Sequence, residues 1–263
     1  SKYDFDFWHV TMGYPTGVAV SYFAERNRQV DYLIRCAGED IQYVPEINYG
    51  MRQDPVIDRL IRTYLPRCNH LVAITQSVAD EYKAIGISDS QIEYIPNGID
   101  LNRFDNASDK FKTRQSLGIA DDEFLFLAVG RNHIKKNFTA LIKSARILRE
   151  IGLDGFKILI VGGGSSELKH EAKSAGVEDL IVTLDGLSPR SRDASLQLPS
   201  SELVDIYCAA DCFAFPSLVE TFGIVIIEAM AASLPIITTD GPGCRDLIRF
   251  GKDGIMVPVH DVK

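Results

Sequence analysis

The sequence predicts an α/β protein: two doubly wound parallel-sheet domains, the first of them incomplete. Three observations carry this. Apolar runs of strand length alternate with segments of helical periodicity, the pattern of parallel strands joined by crossover helices. Three runs, 124–129, 157–161 and 211–215, are apolar nearly throughout, as strands covered on both faces must be. The alternation also falls into two series, separated by a turn-rich stretch from Pro96-Asn97-Gly98 to about Asp122.

In the first series, apolar runs place strands at 5–10 (Phe-Asp-Phe-Trp-His-Val), 31–35, 70–74 and 91–95. Helical spacing places helices at 17–27, 54–66 and 76–85; the second of these carries Val56, Ile57, Leu60, Ile61 and Leu65. In the second series, strands are expected at 124–129, 157–161, 180–184, 211–215, 235–238 and 254–257. Helices are expected at 137–150, 166–175, 201–209, 223–232 and 243–249. Residues Ser188–Pro199, rich in Ser, Arg and Pro, read as a surface loop. The domain boundary falls near 97, dividing the chain into 1–97 and 98–263. Six strands suffice for a complete doubly wound domain, whereas four leave about half a sheet to be supplied from upstream. The chain opens at Ser1 in a strand pattern and stops at Val262-Lys263 without a closing helix, which reads as a piece of a longer protein.

Composition narrows the function. The 263 residues include 28 Lys+Arg and 36 Asp+Glu, a net charge of −8. Residues 1–100 carry 9 basic and 14 acidic side chains and the remainder 19 and 22, so neither part has the basic excess that phosphate neutralisation demands. A nucleic-acid partner is therefore not expected. No apolar run reaches the ~18 residues of a membrane span. No signal-peptide pattern precedes the first strand. Five cysteines, an odd number without CxxC, suit reduced thiols and a cytoplasmic setting. Cys208 and Cys212 lie within helical reach of one another, but no companion ligands make a zinc site of them.

Ligands of doubly wound sheets bind beyond the carboxyl ends of the strands, so the residues just after each strand matter most. After 124–129 comes Gly130-Arg131-Asn132-His133-Ile134-Lys135-Lys136-Asn137, with cations leading into a helix. Arg131 can fork two phosphate oxygens and Lys136 adds a point charge; a solvated basic turn is the plainer alternative. After 211–215 comes Pro216-Ser217-Leu218-Val219-Glu220-Thr221-Phe222-Gly223-Ile224-Val225-Ile226-Ile227-Glu228. A helix starting near Gly223 would aim the amides of Phe222, Gly223, Ile224 and Val225 at an anion. Glu228 interrupts an apolar helix, and a buried carboxylate requires a partner. The alternatives are a dipole role for Glu220 and a structural ion pair for Glu228.

After 157–161 comes Gly162-Gly163-Gly164-Ser165-Ser166-Glu167, with Asp185 at the end of the following strand. This partly matches a dinucleotide fingerprint and keeps a nicotinamide-dependent oxidoreductase in view. The third glycine is replaced by Glu167, however, and the motif follows the second strand of its series, not the first. More simply, the glycines let the backbone approach a base or ribose closely. Asp4-Phe5-Asp6 has the form of a metal-binding DxD but lies within a strand pattern, and no metal site is expected. Arg52, Arg59, Arg62 and Arg67 around the helix at 54–66 read as a solvated face, with a weak peripheral membrane contact as the alternative.

Taken together, Glu220 and Glu228 in the E-x7-E spacing, Gly130-Arg131-x4-Lys136 and Ile-Pro-Asn-Gly-Ile-Asp at 95–100 resemble glycosyltransferase family 4. Gly-Tyr-Pro-Thr-Gly at 13–17, Gly-Glu-Asp-Ile at 38–41 and Leu-Val-Ala-Ile-Thr-Gln-Ser at 71–77 add to the likeness. The resemblance implies two Rossmann-like domains (GT-B), 1–97 on the acceptor side and 98–263 binding the donor. It implies a retaining, metal-independent transferase of polysaccharide biosynthesis, with a UDP-, GDP- or ADP-sugar as donor, no cofactor, and a glycan or lipid-linked acceptor. The expected location is the cytoplasm, from the cysteine usage, with the inner membrane face as the alternative that the arginines around 54–66 leave open. Arg131 and Lys136 would hold the diphosphate, and Gly130 and the amides from Phe222 to Val225 would contact donor phosphate and sugar. Glu220 would bond the sugar hydroxyls and Glu228 the ribose; the glycines at 162–164, Gly163 among them, and Asp185-Gly186-Leu187 would border the base. His9 stands near the family's catalytic His, although Thr11 replaces the second His of its frequent H-x-H pattern. A catalytically inactive nucleotide-sugar-binding module remains the alternative.

Overall fold

A computed structural model describes residues 6–27, 30–187 and 199–261. The chain divides into two units, Ser1–Asn97 with Glu220–Phe222, and Gly98–Val219 with Gly223–Lys263.

In the first unit, β1 (Trp8–Thr11), β2 (Tyr32–Arg35), β3 (His70–Ala73) and β4 (Ile92–Tyr94) form one parallel sheet in the order β1-β2-β3-β4. The connecting helices are α1 (Val18–Arg26), α2 (Pro55–Tyr64) and α3 (Gln76–Ala84). Local chemistry sets the helix starts. The Asp54 carboxylate accepts the Val56 and Ile57 amides (2.7 and 3.2 Å) ahead of Pro55, and Thr75 Oγ1 accepts the Val78 amide (3.2 Å). Ile34, Ile61, Leu65, Leu71 and Tyr82 are fully buried. The strand expected at 5–10 runs instead from Trp8 to Thr11; Asp4 and Phe5 of the DxD pattern lie outside the described residues.

The arginines near α2 are largely spent on the fold. Arg52, 3% exposed, pairs with Asp58 (2.8 Å) and Glu81 (2.6 Å) and donates to the Ile41 carbonyl. Arg62 pairs with Asp58, and Arg67 with Glu25. The solvated basic face read from the sequence is therefore mostly a set of ion pairs: Asp58 of α2 itself serves Arg52 and Arg62, and Glu81 of α3 and Glu25 of α1 serve Arg52 and Arg67.

The second unit contains a six-stranded parallel sheet of β5 (Phe124–Val129), β6 (Phe156–Val161), β7 (Ile181–Leu184), β8 (Cys212–Phe215), β9 (Ile236–Thr239) and β10 (Ile255–Val257). Their order is β10-β9-β8-β5-β6-β7. The chain winds outward one way from β5 and, after returning, the other way from β8. The gap between the ends of β5 and β8 is the topological switch point, where doubly wound sheets bind ligands. Leu125, Leu127, Ala128, Leu159, Ile160 and Phe213 have no exposed surface, as the unbroken apolar runs require.

The helices of this unit are α4 (Lys110–Ser116), α5 (Thr139–Glu150), α6 (Leu168–Ser174), α7 (Ser201–Ala209) and α8 (Ile224–Ala231). Two differ from expectation. Helix α4 lies in the stretch read as irregular. What it buries is an arginine: Arg114, 3% exposed, pairs with Asp211 and donates to the Ala209 and Glu123 carbonyls. Its one large apolar residue, Phe111, is 59% exposed, so no apolar period announces it. Conversely, the helix expected at 243–249 is a run of turns to 247 followed by irregular chain. Cys244 and Ile248 are buried as the spacing suggested, but Gly243 starts the segment at φ +77°, outside the helical region. Of the loop at 188–199, only Pro199 is described; it is buried, and its carbonyl accepts from Arg103 (2.6 Å). No helix among the described residues is long and apolar enough to cross a membrane.

Candidate functional site

The site of the second unit grows from the strand ends at the switch point. Beyond β5, the Gly130 amide donates to the Val161 carbonyl (2.8 Å) and the Asn132 amide to the Gly163 carbonyl (2.8 Å). The loops after β5 and β6 thus extend the sheet pairing by a further turn. This contact needs Gly162, whose φ is +142°: a Cβ there would stand 2.1 Å from the Gly130 carbonyl oxygen. At Gly163 the nearest atoms to a Cβ are the Asp185 carbonyl oxygen (3.8 Å) and Arg131 Cγ (4.0 Å), leaving an open face.

The 134–136 segment makes one 3₁₀ turn, capped where His133 Nδ1 accepts the Lys135 amide (3.3 Å). Asn137, in the left-handed region at φ +52°, ends it. Lys136 is half-buried, with its ammonium 4.8 Å from the Phe215 ring centroid at the end of β8. Arg131 is exposed, and among the described residues its guanidinium has no hydrogen bond or ion pair.

The loop after β8 is tied to this basic turn. The Leu218 amide and Ser217 hydroxyl both donate to the Lys135 carbonyl (2.7 and 2.9 Å), and Asn137 Nδ2 donates to the Pro216 carbonyl (3.3 Å). Thr238 and Thr239 on β9 hold the same loop through the Phe215 and Ser217 carbonyls. The chain then reaches Gly223, whose left-handed φ of +78° turns it into α8 without a side-chain cap. The amides of Gly223, Ile224 and Val225 have no protein acceptor among the described residues, and no acid occupies the first turn. They are donors of the kind that serve an anion.

Glu228, 6% exposed, lies in the second turn of α8. Its partner is not a cation. The hydroxyl of Tyr207 on α7, fully buried, donates to Glu228 Oε2 at 2.8 Å. The ion pair considered from sequence is absent among the described residues. Burial pushes the Glu228 carboxyl above the ordinary carboxylate range, and the Tyr207 hydrogen bond offsets part of that rise. Tyr207 is pushed well above the usual phenol range, by burial first and by the Glu228 charge second. Tyr207 was not legible as a site residue. The sequence shows only an aromatic in an apolar helix, and its partner is 21 positions away.

Asp185 caps the turn after the glycines: it accepts from Ser165 Oγ (3.1 Å) and from both the amide and hydroxyl of Ser166 (2.7 and 2.6 Å). Those bonds, led by the Ser166 hydroxyl, hold it below the usual carboxylate range. The acid that a nicotinamide reading would point at a ribose is thus engaged by its own loop. Leu187 is half-buried and packs on the core. Glu220 and Phe222, 6% and 5% exposed, group with the first unit. His9 is exposed in the middle of β1, opposite Leu33; the strand ends two residues later at Thr11, so His9 stands before the carboxyl end and not beyond it.

Two parallel α/β sheets, the second with a basic loop and open helix amides at its switch point, define a glycosyltransferase fold of the GT-B type. The chain belongs to the Glycosyl transferases group 1, whose family model matches residues 109–263; residues 1–103 match Glycosyltransferase Family 4. Among curated relatives it is 31% identical over 203 residues to a D-inositol 3-phosphate glycosyltransferase of Actinosynnema mirum, covering 73% of this chain and 46% of that protein. The chain thus spans about half the length of this curated relative. Among solved structures, Anabaena HepE in complex with UDP superposes with a TM-score of 0.80 at 20% identity, over 98% of this chain and 66% of that one. Sucrose-phosphate synthase of Thermosynechococcus elongatus superposes with a TM-score of 0.77 at 18% identity, over 99% and 62%.

Proposed function

We propose that this chain carries the nucleotide-sugar site of a retaining, metal-independent glycosyltransferase acting on a glycan or lipid-linked acceptor. One observation carries the reading: at the switch point of the second sheet, the Arg131–Lys136 loop is bonded to the loop that leads into the open amides of α8. Cations and amides fixed before the reaction act most strongly where charge develops, here on the leaving diphosphate. In this reading Arg131 and Lys136 hold the diphosphate, and Gly130 with the amides of Phe222, Gly223, Ile224 and Val225 binds phosphate and sugar. Glu220 orients the sugar hydroxyls, Glu228 accepts the ribose hydroxyls, and Gly163 and Leu187 flank the base. His9 is the candidate group toward the reacting sugar. The 1–97 unit takes the acceptor side and the 98–263 unit the donor.

In the transfer, the bond from the anomeric carbon to the diphosphate breaks as the acceptor oxygen bonds to the same face. The acceptor proton passes to the departing diphosphate oxygen, so no protein base is consumed. The donor base is proposed to be uracil, on the support of the UDP-bound Anabaena neighbour. The relative named for D-inositol 3-phosphate adds a phosphorylated polyol to the acceptors worth testing. Work at the cytoplasmic face of a membrane belongs to the same proposal, with little support from the α2 arginines, three of which are in ion pairs.

Calorimetric titration with UDP, GDP, ADP and NAD, with and without Mg²⁺, tests the site. Metal-independent binding of one nucleoside diphosphate, weakened in Glu228→Ala, is expected. Binding of NAD alone, indifferent to that substitution, overturns the proposal. Retention is checked by the anomeric configuration of the product by NMR, where an inverted linkage refutes it. Nucleotide binding without turnover in the whole protein would identify an inactive binding module instead.

A further inference from the structure

Helix α8 reads Ile-Val-Ile-Ile-Glu-Ala-Met-Ala, so Glu228 is its one polar side chain. A carboxylate buried for structural reasons alone is paired with a cation or bonded at both oxygens, since burial otherwise carries a heavy cost. Glu228 has neither. Its Oε2 takes the Tyr207 hydroxyl, while Oε1 has no partner among the described residues and is not sealed from solvent. Tyr207 cannot turn elsewhere. Its ring is fully buried against Phe104 and Phe213, with centroids 6.4 and 5.9 Å away, and its oxygen also lies 3.4 Å from the Val225 carbonyl. One hydroxyl therefore meets both the first turn of α8, whose amides are open, and the carboxylate one turn on.

We propose that Tyr207 is a positioning residue of the nucleotide site: by holding Oε2 it presents Oε1 of Glu228 to a vicinal diol, the 2′- and 3′-hydroxyls of the ribose in a nucleoside diphosphate. This rests on the reading of Glu228 given above and adds the residue through which it works. A carboxylate oxygen with open lone pairs accepts from two neighbouring hydroxyls, whereas a swinging or protonated carboxyl does so poorly.

The other ionisable groups around Glu228 leave Tyr207 as the one that acts on it. Strands β8 and β9 pack against α8. Strand β9 carries no ionisable side chain, and on β8 burial pushes the Cys212 thiol up to about 11. On α7, Asp205 is bonded to Ser108, Glu202 is half-buried at the helix start, and Cys208 is raised by burial. Burial and the Tyr207 bond are the two influences on the Glu228 carboxyl, in opposite directions. Removing the phenol hydroxyl leaves burial unopposed, so Glu228 takes up its proton at higher pH.

The test is calorimetric titration, from pH 5.5 to 8.5, of the protein and its Tyr207→Phe, Glu228→Gln and double variants. The probe is the tightest of UDP, GDP and ADP, alongside its 2′,3′-dideoxy analogue. Tyr207→Phe should bind the ribonucleotide about tenfold more weakly at neutral pH. Its acid loss of affinity should begin at higher pH than in the unmodified protein, a displacement that mere loosening of α7 would not produce. Glu228→Gln should weaken binding and remove the Glu228 part of the pH profile, leaving only that of the probe's terminal phosphate, which ionises at about pH 6, and the double variant should be no weaker than Glu228→Gln. The unmodified protein should prefer the ribonucleotide over the dideoxy analogue, and Tyr207→Phe should narrow that preference. If Glu228→Gln is weakened while Tyr207→Phe keeps both affinity and pH profile, Tyr207 is not the positioning residue although the nucleotide site stands. If Glu228→Gln binds normally, or the unmodified protein binds both analogues equally, the ribose assignment fails and takes the proposal with it; this comparison needs no variant to fold.

Discussion

Alanine at Gly162 separates two roles for the glycine run after β6. The structure places a Cβ at this position 2.1 Å from the Gly130 carbonyl oxygen and 3.1 Å from the Arg131 nitrogen. Ordinary contact requires roughly 1 Å more, and the obstacle is backbone, which cannot rotate aside. The φ of +142° adds strain, because L side chains rarely adopt it. Strain of about 1–3 kcal/mol and overpacking of about 1–3 kcal/mol together predict a loss of about 2–6 kcal/mol. For a unit of this size that lowers Tm by about 5–20 °C. Movement of the 130–131 backbone also displaces Arg131, so nucleoside diphosphate binding should weaken about tenfold or more. Gly163→Ala is the control. Its Cβ meets nothing closer than 3.8 Å, so Tm should stay within about 2 °C, while a base or ribose seated against that open face would still be crowded. Thermal melting by circular dichroism and calorimetric titration read the two quantities. A Gly162→Ala protein that melts and binds like the unmodified one would falsify the close-approach argument.

Other outcomes follow from the same structure. Arg131→Ala should leave stability within about 0.5 kcal/mol, because the side chain is exposed and unpaired among the described residues. It should weaken nucleoside diphosphate binding roughly 10- to 100-fold; equal affinity would remove it from the site. Asp211→Asn should cost about 2–3 kcal/mol by denaturant unfolding, since it leaves Arg114, 3% exposed, without its charge partner. Burial alone would raise the Asp211 carboxyl, but bonds from Lys110, the Leu125 amide and Arg114 outweigh it and hold it below its ordinary value. Its folded pKa lies below the unfolded value of about 3.9. The stabilisation is therefore complete above that pH and lost as pH falls through the folded value. The gap in stability between the two proteins should close under acid, and a gap unchanged down to pH 2 would contradict this assignment. His9→Ala should leave nucleotide affinity unchanged, because His9, before the end of β1, is proposed to face the reacting sugar and not the nucleotide; a lost nucleotide affinity would reassign it to the donor.

Where burial is apolar and local, the sequence was sufficient. The runs at 124–129 and 157–161 became central strands within a residue of their expected limits because strands covered on both faces admit few polar residues. Helix 201–209 matched because Ser200 caps it and Val204, Ile206 and Tyr207 bury one side. It failed where the buried group was charged or the backbone unusual. Helix α4 is anchored by Arg114 to a partner 97 residues away, and Gly243 breaks a segment whose apolar spacing is otherwise helical.

By itself, then, the sequence determined the α/β class, the two strand–helix series and the position of Gly130, Arg131, Lys136 and Gly223 to Glu228 after their strands. Those are properties of periodicity and of short-range spacing, which one stretch of chain carries whole. Only the tertiary structure decided that the loops after β5 and β8 share a carbonyl at Lys135, that Gly162 serves Gly130, that Asp185 is engaged by serines, and that Glu228 answers to Tyr207. Each of these joins residues from about 20 to over 80 positions apart. Such pairings depend on strand order, and strand order leaves no local mark in the chain.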